Sequence, residues 1–113
     1  MAKGLNEVKL IGNLGQDPIV NHFDNGSKVV NFSLATQKTY KDQNGENVST
    51  TQWHRIVAWN KLGDIIEKYL KKGSKCYIQG EIQYRTYEKE DGSSAYLTEI
   101  VANDLIMLSS DSQ

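Results

Sequence analysis

The chain has the sequence Trp-His-Arg-Ile-Val-Ala-Trp from Trp53 to Trp59, and this stretch predicts a strand with two chemically different faces. Side chains alternate across a β-strand, so the two tryptophans share one face with Arg55. An unpaired buried cation is costly, whereas rings beside a cation suit a surface on which unpaired bases stack next to a phosphate. The pattern therefore favours an exposed stacking surface. The alternative is that both tryptophans lie in the core and Arg55 extends its charge to solvent.

Length and composition limit the class of protein. A chain of 113 residues predicts one domain with a single core. A net charge of -1 does not by itself indicate a partner rich in phosphate, so a phosphate-binding surface requires segregated positive charge. No apolar run approaches the roughly 20 residues of a membrane span, and the N-terminus lacks an apolar secretory signal. The sequence therefore predicts a cytoplasmic protein with no membrane association. The single Cys76 is predicted to be a small buried hydrophobe.

Short apolar runs separated by turn clusters predict a mostly β protein. The first strand is predicted from Val8 to Leu14, with Gly12 allowing a bend or a close backbone approach. In the run from residue 28 to 36, Val30, Phe32 and Leu34 are predicted to face the core. The other extended segments are predicted at 19–23, through the two tryptophans, at 75–87 and at 95–108. Hairpin turns are predicted at 24–27 and 88–94, and a polar loop at 41–47.

A short helix is predicted to follow Asn60, which we expect to cap it. Its apolar side chains recur at helical spacing, which predicts a helix that packs over one end of a sheet or barrel. Five main strands with a helix between the third and fourth have the chain order of an all-β, five-stranded Greek-key barrel of the oligonucleotide-binding (OB) fold. We expect this domain to span residues 1–108 and residues 109–113 to form a short flexible C-terminal end.

Several separate motifs resemble the bacterial single-stranded DNA-binding protein family, in the order in which that family has them. They occupy residues 6–18, 32–36, 51–57, 61–62, 69–74 and 77–80. The resemblance spans about residues 3–108. It implies an OB fold that binds single-stranded DNA without sequence preference. It also implies a role at the nucleoid, where the protein coats and protects unpaired strands during DNA replication, recombination and repair.

Aromatic side chains stack on bases at four places in that family. The resemblance gives this role to Tyr40, Trp53, Trp59 and Tyr87. The best-known members have tryptophan at the positions of Tyr40 and Tyr87 and phenylalanine at that of Trp59. Each exchange keeps a π face, so stacking of roughly 1–3 kcal/mol per base is expected to survive. The alternative for Tyr40 is a solvated tyrosine beside a loop.

Cations near these aromatic residues are candidates for phosphate contacts. They are Lys38, Lys41, Arg55, Lys61, Lys72 and Arg85. Acidic residues gather instead in turns and at a hairpin tip, so segregated charge can form a basic path on a nearly neutral protein. The alternative for each cation taken alone is a solvated surface charge.

The family is typically a homotetramer, and the histidine of its Trp-His-Arg motif lies at the subunit contact. The resemblance implies that contact for His54, whose alternative is a purely structural role. Tyr77, Gln79 and Glu81, predicted to face outward on a central strand, are further candidates for subunit contacts.

Members of the family commonly continue into a flexible linker with an acidic, hydrophobic tip that recruits replication and repair enzymes. No such tip occurs before Gln113, which puts tail-mediated recruitment in doubt. A naturally short protein of a host, phage or mobile element and a trimmed chain both fit this observation.

Signatures of catalysis, metal binding or cofactor binding are absent from the sequence. His22 and His54 lack partners at zinc-ligand spacing, and neither a phosphate-binding loop nor a Ser, His and acid motif occurs. The sequence therefore predicts a protein that is not an enzyme and uses no metal and no cofactor. Three alternatives stay open: an adaptor that docks replication proteins, an RNA-binding or cold-shock-like module, and a structural barrel with buried tryptophans.

Overall fold

The computed structural model describes residues 3–108 of the chain. The predicted flexible end at 109–113 lies outside the described residues. The elements in chain order are β1 (Val8–Leu14), β2 (Ile19–His22), β3 (Lys28–Lys41), β4 (Asn47–Trp59), α1 (Asn60–Tyr69), β5 (Lys75–Glu88) and β6 (Ser94–Met107).

Five of the strands close into a barrel. They are hydrogen-bonded in the order β1-β5-β6-β4-β3, and β1 also pairs with β3, which joins the two ends of the sheet. Neighbours are antiparallel except β4 and β6, which are parallel where Ile56 faces Ile100. The short β2 adds to β3 beside β1. With β2 set aside, α1 lies between the third and fourth main strands, so the predicted OB-fold barrel is confirmed.

Two glycines permit backbone crossings that no side chain would allow. A Cβ atom at Gly12 would come within 2.2 Å of the carbonyl oxygen of Ala35, and one at Gly80 within 2.1 Å of that of Val101. Both contacts lie far below van der Waals distance. The close backbone approach predicted for Gly12 is therefore confirmed, and Gly80 has the same role on β5.

The barrel interior is filled by alternating apolar side chains. Val30, Phe32 and Leu34 are fully or almost fully buried, as their alternation along β3 predicts. Cys76 is fully buried on β5, and burial raises the pKa of its thiol to about 11. Cys76 therefore packs as a small hydrophobe, as predicted.

The helix α1 differs in two ways from its prediction. The side chain of Asn60 does not cap it; Asn60 is its first residue, with a φ of 52°, and its Oδ1 accepts a hydrogen bond from the backbone N–H of Lys28 at 3.0 Å. Asparagine tolerates this left-handed conformation better than most residues. Only part of the predicted apolar stripe is covered, because Ile66 is buried against the barrel while Ile65 and Tyr69 are exposed.

The three hairpin tips share one geometry. In each, a glycine at positive φ (Gly26, Gly45 or Gly92) donates its N–H to the carbonyl three residues earlier. The predicted turns are confirmed, but β3 extends to Lys41, beyond its predicted end at residue 36. As a result the β3–β4 and β5–β6 hairpins carry long arms of exposed residues. Within residues 3–108, no helix is long and apolar enough to cross a membrane; α1 has ten residues.

Candidate nucleic-acid interface

The two tryptophans of β4 are exposed on one face of the strand. Trp53 is 61% and Trp59 45% exposed, while Ile56 and Ala58 on the alternate face are fully buried. The alternative of tryptophans buried in the core is therefore wrong. Val57 lies between them on the outer side and is buried, which makes it the floor of a groove.

A groove of about 510 Å³ lies beside Trp59 on the outer face of the barrel. Phe23, at the end of β2, forms one wall of the groove and stacks on Trp59 with a centroid separation of 5.9 Å and an interplanar angle of 24°. Asn31 and Gln83 also line it. The sequence analysis did not select Phe23. Its position just before a hairpin turn was the available signal that its ring packs against a neighbouring strand.

A buried carboxylate links two arginines in this groove. Glu99 on β6 is only 3% exposed; its Oε2 accepts from Arg55 Nε at 3.0 Å and its Oε1 from Arg85 Nε at 2.8 Å. Arg85 Nη2 donates a further hydrogen bond to Glu99 at 3.1 Å. These bonds, first those from Arg85 and then that from Arg55, hold the pKa of Glu99 below its ordinary value of 4.5, against the opposing effect of burial.

The Glu99 ion pair corrects the sequence argument about Arg55, which treated it as an unpaired cation. Arg55 binds Glu99 through Nε alone, so its two terminal nitrogens are left as donors, and its side chain is 44% exposed. Two arginines against one carboxylate keep a net positive charge in the groove. The sequence analysis missed Glu99 because 44 residues separate it from Arg55. The available signal was that Glu99 precedes the apolar Ile100 on a strand, so the two side chains point to opposite faces.

Tyr87 lies in a second depression that continues the groove. This depression, of about 380 Å³, is lined by Arg55, Arg85, Tyr87 and Leu97. Because both arginines also line the groove, the structure brings Trp59, the two arginines and Tyr87 onto one continuous surface. Four of the predicted site residues are thus neighbours in space.

Trp53 lies at a separate place, farther along the β3–β4 hairpin. Its indole packs against Gly15, where a Cβ atom would come within 2.3 Å of the ring. The depression beside it, of about 490 Å³, is also lined by Gln37, Thr51 and Lys75. Lys75 was not among the predicted cations.

Tyr40 and Lys38 lie on the opposite face of the β3–β4 hairpin from Trp53. Tyr40 pairs with Val48 and Lys38 with Thr50, whereas Trp53 pairs with Ala35, one step out of phase. Lys41 lies on the same face of the hairpin as Trp53, next to the turn.

The other two predicted cations lie at the ends of α1. Lys61 is exposed in its first turn, next to Trp59 in the chain. Lys72 follows the helix, and its backbone N–H donates to Asp17 Oδ1 at 2.8 Å. Neither lysine is among the residues that line the groove.

The residues predicted for subunit contacts occupy two different places. His54 is partly buried and its Nε2 lies 2.8 Å from Thr36 Oγ1. Tyr77 faces outward on β5 between the exposed Ile11 and Ile106, as the strand registers show. Gln79 and Glu81 follow on the same side of β5, and Gln79 Nε2 donates to Glu7 Oε2 at 2.7 Å.

Comparisons with known proteins show the family to which the chain is similar. The model of the single-strand binding protein family matches residues 5–108. The chain is 50% identical over 109 residues to single-stranded DNA-binding protein 1 of Chlorobaculum tepidum, covering 96% of this chain and 67% of that protein. It is 45% identical over 108 residues to the single-stranded DNA-binding protein of Xylella fastidiosa, covering 96% of this chain and 66% of that protein. It therefore spans about two thirds of the length of these relatives.

Among solved structures, Plasmodium falciparum SSB in complex with single-stranded DNA matches with a TM-score of 0.88 and 38% identity, covering 96% of this chain and 99% of that chain. Sequence and structure thus lead to the same conclusion, and the chain belongs to the single-strand binding protein family.

Proposed function

We propose that this protein binds single-stranded DNA without sequence preference. The observation that carries the proposal is the continuous surface on which Trp59, Arg55, Arg85 and Tyr87 lie together. Exposed ring faces offer stacking to unpaired bases, while arginine nitrogens offer hydrogen bonds to the phosphates between them. In a duplex each base is already stacked and paired, so these rings have no base face to bind.

Base stacking is the main source of binding energy in this proposal. The stacking residues are Tyr40, Trp53, Trp59 and Tyr87, each expected to contribute about 1–3 kcal/mol per base. Phe23 supports Trp59 from behind, which holds the indole in one orientation and reduces the entropy lost on binding. Because Tyr40 and Trp53 lie on opposite faces of one hairpin, a strand that contacts both must wrap around it.

Phosphate contacts set the path of the strand. Arg55 and Arg85 are the best supported, since they lie in the groove itself; the others are Lys38, Lys41, Lys61 and Lys72 on the surrounding surface. The net charge of -1 implies that attraction comes from this local arrangement and not from the charge of the whole protein.

The cellular role that fits such binding is the coating of unpaired strands in the cytoplasm, at the nucleoid. A coated strand is protected from nucleases and cannot reanneal, which is useful during replication, recombination and repair. The names of the relatives, single-stranded DNA-binding proteins, support the binding on which this role depends.

We also propose that the protein assembles as a homotetramer. The apolar strip formed by Ile11, Tyr77 and Ile106 on the outside of the barrel is the kind of surface that a second subunit covers. His54, Gln79 and Glu81 complete the proposed contacts. A bulky substitution at His54 is expected to dissociate the tetramer on dilution, and an unaltered mass by light scattering would remove His54 from the interface.

Tryptophan fluorescence during titration tests the proposed function directly. The titrant is a long oligo(dT) at low and at high salt, with a duplex of equal length as the control. The Trp53→Phe and Trp59→Phe variants assign the signal, because each leaves a single indole as reporter. We expect quenching that saturates at a fixed number of nucleotides per protein, occurs in both variants and is absent with the duplex.

Absence of both quenching and binding would overturn the proposal and favour an adaptor that docks other proteins. Equal or tighter binding of an oligo(U) of the same length would favour the RNA-binding alternative instead.

A further inference from the structure

The β5–β6 hairpin has a second aromatic face, opposite the groove. Tyr84 is 70% and Tyr96 83% exposed. Tyr84 pairs with Thr98 and Tyr96 with Thr86, whereas Arg85 pairs with Leu97 on the alternate, groove-facing side. The two tyrosines are therefore diagonal neighbours on one face, close enough for their rings to form a single patch.

This patch is connected to the groove through one residue, Arg85. A depression of about 370 Å³ is lined by Tyr84, Arg85, Thr86 and Tyr96. Arg85 also lines the groove and the depression beside Tyr87. Arg85 thus lines depressions on both faces of the hairpin, while Glu99 holds its guanidinium group on the groove side.

The edge of β5 is open at this point. Pairing between β1 and β5 ends where Val8 faces Gly80, and the side chain of Asn6 then binds the N–H and the carbonyl of Ile82. Beyond Ile82, β5 pairs within the described residues only with β6. A polymer in the groove can therefore cross this edge to the other face without meeting another strand.

The chemistry of the patch suits bases better than phosphates. On this face of the β5–β6 hairpin, the two tyrosines are joined by Thr86, Thr98 and Ser94. Among the described strand residues, the one charged residue on this face outside the barrel is Glu88, near the tip. Arg85 lines the depression beside the patch, but its guanidinium group is bound to Glu99 on the groove side. Exposed tyrosine rings without a cation between them offer stacking to any base and little electrostatic attraction.

We propose that Tyr84 and Tyr96 form an additional base-stacking subsite, reached when single-stranded DNA leaves the groove past Arg85 and crosses the edge of β5. This inference rests on the proposed function, since it extends the path of the same strand. It implies that the protein holds a long strand by more bases than the groove alone can stack.

The test compares a short and a long strand on the full chain. The variant is Tyr84→Ala with Tyr96→Ala, the matched control is Tyr69→Ala, which removes an exposed ring on α1, and Tyr84→Phe with Tyr96→Phe keeps both rings. In a Trp53→Phe background, which leaves Trp59 as the single indole, quenching reports groove occupancy by an oligo(dT) of about 5 nucleotides, near the lower limit for one OB fold, and by one of about 30 nucleotides.

We expect the alanine pair to weaken binding of the long strand by at least about 10-fold and to leave the short strand within about twofold. The salt dependence should not change, because the patch holds no cation of its own. The Tyr69→Ala control and the phenylalanine pair should behave like the unmodified protein.

Three results would overturn the inference. Equal weakening for both strands means that the tyrosines support the groove itself. No weakening for either strand means that DNA does not reach them. A lower mass by light scattering in the alanine pair means that a second copy of the chain covers the patch. Failure of the unmodified protein to bind even the short strand would instead refute the proposed function.

Discussion

Strand β4 has two faces that differ in burial and in chemistry. Ile56 and Ala58 are fully buried and hold the barrel together, whereas Trp53, Arg55 and Trp59 alternate with them and face solvent. Residues that are adjacent in the chain therefore serve stability and binding separately. The rigid buried face fixes where the exposed rings lie, which lowers the entropic cost of binding a flexible strand.

The largest expected effect is the loss of stability when a buried side chain of β4 is removed. Ile56→Ala is expected to lower the free energy of unfolding by about 2–5 kcal/mol, because it removes apolar contacts and leaves a cavity. Urea denaturation measures the loss, with Thr51→Ala on the exposed part of β4 as the control. The folded fraction should still bind single-stranded DNA. Equal destabilisation by the two variants would contradict the assignment of the buried face.

Removing an exposed ring should have the opposite profile. Trp59→Ala is expected to weaken binding of single-stranded DNA by about 1–3 kcal/mol, roughly a 5- to 150-fold rise in Kd, with a much smaller effect on unfolding. Anisotropy of a labelled oligonucleotide measures the affinity without relying on the missing indole. Trp59→Phe keeps a π face over Phe23 and is the control. Large destabilisation by Trp59→Ala with unchanged affinity would show that Trp59 is a structural residue.

Glu99 contributes to both stability and binding, because this buried acid holds the two groove arginines in place. Glu99→Gln is expected to cost about 1–2 kcal/mol of stability at neutral pH, because it removes hydrogen bonds between charged groups. The folded pKa of Glu99 is lowered, so its contribution is present above its ordinary pKa of 4.5 and is lost as the pH falls through the folded pKa.

The stability difference between the unmodified protein and Glu99→Gln should therefore shrink on acidification from about pH 7 to below pH 4.5. Urea denaturation along this pH series measures it, with Glu90→Gln at the exposed hairpin tip as the control. A difference that stays constant over the series would mean that the carboxylate charge does not stabilise the fold.

The smallest expected effect concerns one groove cation. Arg55→Gln should reduce the slope of log Kd against log salt by about 0.7, the value expected when the protein neutralises one phosphate fewer on a single strand. Arg85 keeps two hydrogen bonds to Glu99, so the groove should persist. Lys89→Gln, among the acidic residues of a hairpin tip, is the control and should leave the slope unchanged. The same slope for Arg55→Gln would remove Arg55 from the phosphate path.

The prediction that the protein is not an enzyme is confirmed by its family, whose named members are DNA-binding proteins. The aromatic and cationic residues chosen from the sequence remain predictions, but the structure groups some of them. One surface brings together Arg55, Trp59, Arg85 and Tyr87. Tyr40 and Trp53 lie on opposite faces of the β3–β4 hairpin.

The sequence alone determined the order of the strands, their buried faces and the turns, but not the full length of β3. Alternation along β3, the close approach at Gly12 and the glycine turns depend on residues near one another in the chain, so a local pattern reveals them. The same alternation placed both tryptophans of β4 with Arg55 on one face.

Only the tertiary structure decided which distant side chains meet. The bonds of Glu99 to Arg55, the stacking of Phe23 on Trp59 and the use of Asn60 to hold Lys28 instead of capping a helix all join separate elements. The register and closure of the barrel fix these contacts, and they arise from the packing of all strands together. No local period in the sequence encodes them.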